Sequence, residues 1–249
     1  MSKSVTLAGQ ILHGSDRFGL WRIHSLEGWK ETPSEKSNTE ARALADGDYD
    51  AEVFYASRLV TVNGRLSAIN SESAFMASER LSSLLRAPSL FSVDQFGMMR
   101  WGTARRGRIA PGAIRGRHLP FQLELRFNDP YKYGAKVAFS GAVGTAFDVH
   151  QRGTTPAWPL ITVTGSMPGG YEVMIGGQLI EVTRALTTGN PHTIDTRTGI
   201  LRVNGAVVVG GLGIAELFRI QPGLPQSVYS VPKTTGTGTV KLDITDTYT

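Results

Sequence analysis

Residues 121–127, FQLELRF, alternate apolar and polar without a break. Phe121, Leu123, Leu125 and Phe127 fall on one side, and Gln122, Glu124 and Arg126 on the other. A period of two belongs to a half-buried β-strand. Residues 239–245 repeat it, setting Val240, Leu242 and Ile244 against Lys241 and Asp243. Residues 171–175 place Tyr171, Val173 and Ile175 on one face. Residues 52–61, EVFYASRLVT, are rich in β-branched and aromatic types, and Asn63-Gly64 then reads as a tight turn before another short strand.

The second half keeps this rhythm. Strands are expected at 160–164, 171–175, 179–184, 192–196, 200–203, 206–209, 216–220, 226–231 and 239–245. Short strands with glycine-rich punctuation predict a sandwich or jelly-roll. A purely parallel sheet needs crossover helices, and the pattern offers none there. One segment departs from the period of two. Residues 71–86, SESAFMASERLSSLLR, place Ala74, Ala77, Leu81, Leu84 and Leu85 at helical spacing. Ser71 or Ser73 would cap this helix, and Pro88 would end it near Arg86. Its plain role is to pack a core. Residues 30–47 are polar and aperiodic, so a long loop is expected. The chain divides near residue 134 into a β-rich unit with one helix (1–134) and a nearly pure β unit (135–249). No Ser/Gly linker separates them, so the two are expected to pack together.

Composition narrows the class. The 249 residues are 41% apolar and 19% charged, which suits a chain that builds its own core. There is no cysteine, which excludes disulfides, thiolate metal sites and cysteine nucleophiles. Glycine (29) and proline (12) are scattered, marking turns between many short elements. No apolar run approaches the roughly 18 residues that span a bilayer. The opening MSKSVTLAGQ has one lysine and no long apolar stretch, so no secretory signal is expected.

The net charge of +5 is local. Residues 95–123 hold Arg100, Arg105, Arg106, Arg108, Arg115 and Arg117, with no acidic residue and no lysine. Setting these six aside leaves 20 basic residues against 21 acidic ones. The stretch reads as an arginine-dense loop. Nucleic-acid binders spread cations along a face, often with aromatics for stacking, whereas this stretch holds Trp101 among glycines and prolines and carries no known nucleic-acid motif. A planar guanidinium suits carboxylates across a protein interface, which is the reading preferred over a merely solvated loop.

Reactive constellations are sparse. The histidines at 13, 24, 118, 150 and 192 never pair at HExxH spacing, and no serine sits in a G-x-S-x-G elbow. Asp148 and His150 would share a strand face, the basis of a metal or hydrolase reading, but a surface pair explains them more simply. His192 and Asp195 would face opposite sides. The acidic alternation Asp46, Asp48, Asp50, Glu52 lacks the glycine position and later glutamate of a calcium loop. Gly210-Gly211-Leu212-Gly213 matches a dinucleotide loop only in part, with Glu216 at the third glycine and no following helix. A turn is the better account. No catalytic activity and no cofactor are expected.

The segment FNDPYKYG (127–134), closing a strand of alternating apolar residues, resembles the end of the N-terminal domain in the distal tail proteins (Dit) of long-tailed bacteriophages. GDYDAEVFYASRLVTVNGRL and the single helix SESAFMASERLSSLLR before it are similar to that family. So are AVGTAFDVHQRGTTPAWPLITVTG, HTIDTRTGILRVNG with Asp195 and Gly199 at its turn, PGLPQSVYSV and the closing KLDITDTYT. The resemblance covers most of the chain.

It implies a mainly β protein: an N-terminal β-sandwich with one α-helix, then a galectin-like β-sandwich. The last strand is left free to pack back on the first domain. It also implies a structural virion protein at the tail tip, assembled in the host bacterial cytoplasm. Its subunits would form a hexameric ring joining the tail tube protein to a hub or fibre protein, and could hold receptor-binding proteins. DNA would pass through the pore only in transit, and no membrane is involved. The length leaves no room for an inserted carbohydrate module. Arg100, Arg105, Arg106, Arg108, Arg115 and Arg117 would then make inter-subunit or ring–tube contacts, with the polar stretch 30–47 as a second contact ordered on assembly. The competing reading is a monomeric carbohydrate-binding β-sandwich presenting Trp158 and Tyr171.

Overall fold

The computed structural model describes residues 4–36, 46 and 54–249. The chain forms two compact units, Met1–Lys132 with Thr249, and Tyr133–Tyr248. Most of the polar stretch 30–47, and Asp48, Asp50 and Glu52 of the acidic alternation, lie outside the described residues.

The first unit contains β1 (Ser4–Leu7), β2 (Gln10–Asp16), β3 (Gly19–Glu27), the two-residue β4 (Glu35–Lys36) and β5 (Phe54–Tyr55), and β6 (Arg58–Ala68). Helix α1 (Ser71–Ser82) follows, then β7 (Ser89–Gln95), β8 (Met98–Pro111) and β9 (His118–Phe127). The ladders among the described residues of this unit are antiparallel. Two strands turn corners. Strand β2 pairs with β1 near Gln10–His13 and with β3 at Gly14–Asp16. Strand β8 pairs with β7 over Met98–Ala104 and with β9 over Arg105–Pro111. The order β8-β7-β1-β2-β3-β6-β9 therefore returns to β8, a sandwich whose two sheets share their corner strands.

Its core is the alternation read inward. Val60, Val62, Leu66 and Ala68 of β6 and Leu119, Phe121, Leu123, Leu125 and Phe127 of β9 are buried. Each of the valines, leucines and phenylalanines among them contributes about 1.5–3 kcal/mol when fully buried. Trp29, Phe91 and Phe127 meet with ring centroids 5.0–5.8 Å apart. Asn63-Gly64 makes no turn; it sits in the middle of β6. Helix α1 buries Ala74, Ala77 and Leu81. Its N-cap is Asn70, whose Oδ1 accepts the Ser73 amide at 2.7 Å, rather than Ser71 or Ser73. The helix stops at Ser82 with Ser83 as its C-cap, before Arg86, and the chain beyond it takes φ 60° at Leu85.

The second unit holds β10 (Lys132–Ala142), β11 (Phe147–Val149), β12 (Leu160–Ser166), β13 (Tyr171–Ile175), β14 (Gln178–Val182), β15 (His192–Asp195) and β16 (Ile200–Val203). It ends with β17 (Ala206–Val208), β18 (Leu212–Ala215), β19 (Gln226–Pro232) and β20 (Thr237–Tyr248). One sheet runs β17-β16-β15-β12-β20-β10 and the other β11-β19-β13-β14-β18. Ile161, Val163, Val240 and Leu242 from the first close on Tyr171, Val173, Ile180 and Val182 from the second. This is the expected second sandwich. One strand is displaced: it lies at Leu212–Ala215 rather than 216–220, because Leu212 and Ala215 pair with Val182 and Ile180. In HTIDTRTGILRVNG, Asp195 Oδ1 accepts the Arg197 amide at 3.0 Å, its carbonyl accepts Gly199 N at 2.8 Å, and Gly199 takes φ 67°.

Candidate interaction surfaces

The arginine-rich stretch is not a loop. Arg100, Arg105, Arg106 and Arg108 lie in β8; only Arg115 and Arg117 occupy the turn to β9. Periodicity failed here because β8 changes sheets midway. A bulge between Arg106 and Ile109 interrupts its ladder with β9. Gly107 permits the bulge, since a Cβ there would stand 2.7 Å from the Glu124 carbonyl oxygen. Arg105, Arg106, Arg108, Arg115 and Arg117 are exposed; Arg100 is half-buried and donates to the Met99 carbonyl at 2.9 Å.

The pairing brings in arginines that sequence reading left aside. Arg105 stands directly opposite Arg126 on β9, and Arg126 directly opposite Leu59 on β6. On the same sheet Arg22 stands opposite Arg65. Arg22, Arg65, Arg105 and Arg126 are all exposed. A shallow hollow of about 390 Å³ lies over His13, Leu20, Arg22, His24 and Arg65. Cross-strand placement was the missing signal, because it needs the register.

FNDPYKYG closes a buried cationic clamp. Arg58, 2% exposed, donates Nε to the Pro130 carbonyl at 2.8 Å. Its Nη1 reaches the carbonyls of Gly28 (2.8 Å), Glu31 (2.6 Å) and Trp29 (3.3 Å). Lys132 Nζ donates to the same Trp29 carbonyl at 3.2 Å. Asp129 Oδ1 accepts the Tyr131 amide at 3.3 Å. Burial pushes the Arg58 guanidinium below its ordinary value, with the Glu31 carboxylate pulling the other way. Burial, then repulsion by Arg58 and Arg100, lowers Lys132 to about 8. The motif thus ties the exit of the first unit to the end of β3 through backbone carbonyls.

In the second unit a buried contact between two side chains joins His192 Nδ1 to Tyr171 Oη at 3.3 Å. His192 Nε2 and Ser230 Oγ are buried without a hydrogen-bond partner. Burial, reinforced by Arg184, pushes the imidazole below its ordinary range. Tyr171 is fully buried, and Arg219 covers the Trp158 ring at 5.1 Å, so neither aromatic is presented as a sugar-stacking platform. Asp148 lies in β11, and the His150 ring packs edge-on against Phe139 at 4.9 Å. Among the described residues no three His, Asp or Glu side chains gather as metal ligands. Gly210 and Gly211 fall between β17 and β18, a turn between strands.

The fold and these surfaces define a two-unit antiparallel β protein, one sandwich carrying a helix and the other built of strands alone. The chain has the fold of the SPP1 Dit protein (gp 19.1), called a paradigm of the hub adsorption apparatus in phages infecting Gram-positive hosts. The TM-score is 0.75 over 100% of both chains, at 17% identity. Two structures of the phage P2 baseplate in its activated conformation, with Ca and with Sr, give TM-scores of 0.53 and 0.52. Each is 6% identical and covers 97% of this chain and 98% of the other. No family model and no curated protein matches the sequence. The likeness therefore lies in the fold: Dit-like and mainly β, with one helix among the described residues.

Proposed function

We propose that this chain is a structural, non-enzymatic protein of a phage tail tip. Its subunits close into a hexameric ring that connects the tail tube to the hub or baseplate, or to receptor-binding proteins. It acts in the virion after assembly in the host bacterial cytoplasm, and DNA crosses the ring only in transit. The observation that carries this reading is the fold shared with SPP1 Dit along the whole of both chains. The sequence resemblance at FNDPYKYG supports it independently, since those residues form a structural clamp rather than a reactive site. The exposed arginines of β8 and the following turn serve as contacts with neighbouring subunits or with the tube.

Negative-stain imaging of the purified chain tests the proposal. Six-fold annular particles are expected. Solitary subunits at all concentrations, together with absence of the protein from intact phage particles, would overturn it. Glycan-array binding by a strictly monomeric protein would favour the carbohydrate-binding module instead.

A further inference from the structure

Helix α1 packs against β6, β8 and β9 through Ala74, Ala77 and Leu81, on the core side of those strands. Its opposite side is exposed. At 100° per residue, Phe75, Glu79, Glu72 and Met76 occupy one sector about 100° wide, with Arg80 at its margin. Phe75 is 56% exposed and Met76 54%. Among the described residues neither Glu72 nor Glu79 has an ion-pair partner; seven positions apart, they sit about 10 Å from each other along the axis.

The other side of the same strands carries the reverse chemistry. Leu59, Arg126 and Arg105 form a row across β6, β9 and β8, about 10 Å long at the usual strand spacing. Leu59 is 67% exposed. Glu27 and Glu124 share this face one step along the strands, opposite Thr61, and neither bonds Arg105 or Arg126. Like charges directly opposite in a sheet repel, so the Arg105–Arg126 pair gains from an anionic neighbour. An apolar side chain flanked by carboxylates thus looks out from one side of the sheet. From the other, Leu59 looks out at the end of a row whose next two members are the guanidiniums of Arg126 and Arg105.

We propose that these two faces meet between successive copies of this chain. The outer face of α1 (Phe75, Met76, Glu72, Glu79) docks on the Leu59–Arg126–Arg105 row of the next subunit. The contact joins two different patches, so it is heterologous, the kind that closes rings rather than two-fold dimers. Guanidinium–carboxylate pairing sets the register, and the apolar residues exclude water between the pairs. The inference rests on the ring reading above and assigns its interface.

The test is charge reversal in the full-length chain, with subunit mass followed against concentration and folding checked by circular dichroism. E72K/E79K and R105E/R126E should each keep the wild-type fold and raise the concentration of half-assembly by about tenfold or more. Mixing the two variants should restore assembly into particles containing both, because the helix face made basic in one variant then meets the strand row made acidic in the other. The variant carrying all four changes should reassemble alone. Wild-type protein that remains monomeric at its highest soluble concentration overturns the ring and this interface together. A wild-type ring unaffected by either reversal, or reversals that disrupt it without rescue on mixing, overturns the interface and leaves the ring standing.

Discussion

Gly64 in the centre of β6 faces the Phe121 ring on β9 across the directly paired position. A Cβ added to Gly64 would stand 2.4 Å from Phe121 Cζ and 2.8 Å from the Arg22 carbonyl oxygen. The glycine is there for space, since the ring fills the volume that a side chain would take. Gly64→Ala should therefore destabilise the first unit by about 1–3 kcal/mol, the usual cost of overpacking. Urea unfolding measures it. Adding Phe121→Leu should recover part of the loss; a purely additive double variant would show that the ring is not the obstacle.

The two cations of the buried clamp should respond differently. Arg58→Met leaves the carbonyls of Gly28, Glu31 and Pro130 without this donor and should cost about 3–5 kcal/mol. Lys132→Met removes an ammonium repelled by Arg58 while Arg58 keeps a bond to the Trp29 carbonyl, so its cost should stay within about 1 kcal/mol. pH separates them further. Lys132 falls from 10.5 to about 8 on folding, so between those values the unfolded chain binds the extra proton and stability rises with pH. Lys132→Met should flatten that rise in denaturation curves; an unchanged slope would refute the assignment.

His192 should make the second unit acid-sensitive. Its folded pKa lies below 6.5, because burial first and Arg184 second disfavour the imidazolium. Below about pH 6.5 the unfolded chain therefore binds more protons than the folded one, and stability falls as pH drops. His192→Gln keeps a polar group near Tyr171 Oη and should lessen the fall in melting temperature between about pH 7 and 5. Parallel melting curves for wild type and variant would contradict this.

Strands with one face in a core were legible from sequence. The alternation at 121–127, 171–175 and 239–245 marks buried Phe121, Leu125, Val173, Val240 and Leu242. The helix was legible too, because a period of 3.6 interrupts a period of two. Strand β8 was not. Its halves belong to different sheets, and the glycine-containing bulge between Arg106 and Ile109 breaks the alternation. The pair Asn63-Gly64 has the composition of a turn but lies within an eleven-residue strand, because a ring from β9 occupies the glycine's vacant side.

What the chain determined by itself was local: which residues extend, which face of each strand is apolar, where the helix starts, and which short motifs resemble distal tail proteins. Tertiary structure decided which strand lies beside which. That placed Arg105 against Arg126, buried Tyr171 under His192, and gathered Arg58 and Lys132 over the carbonyl of Trp29. The physical reason is that a period of two records burial on one face and carries no address for its neighbour. Register comes from contacts between residues distant in sequence, and the surfaces of this protein are built from register.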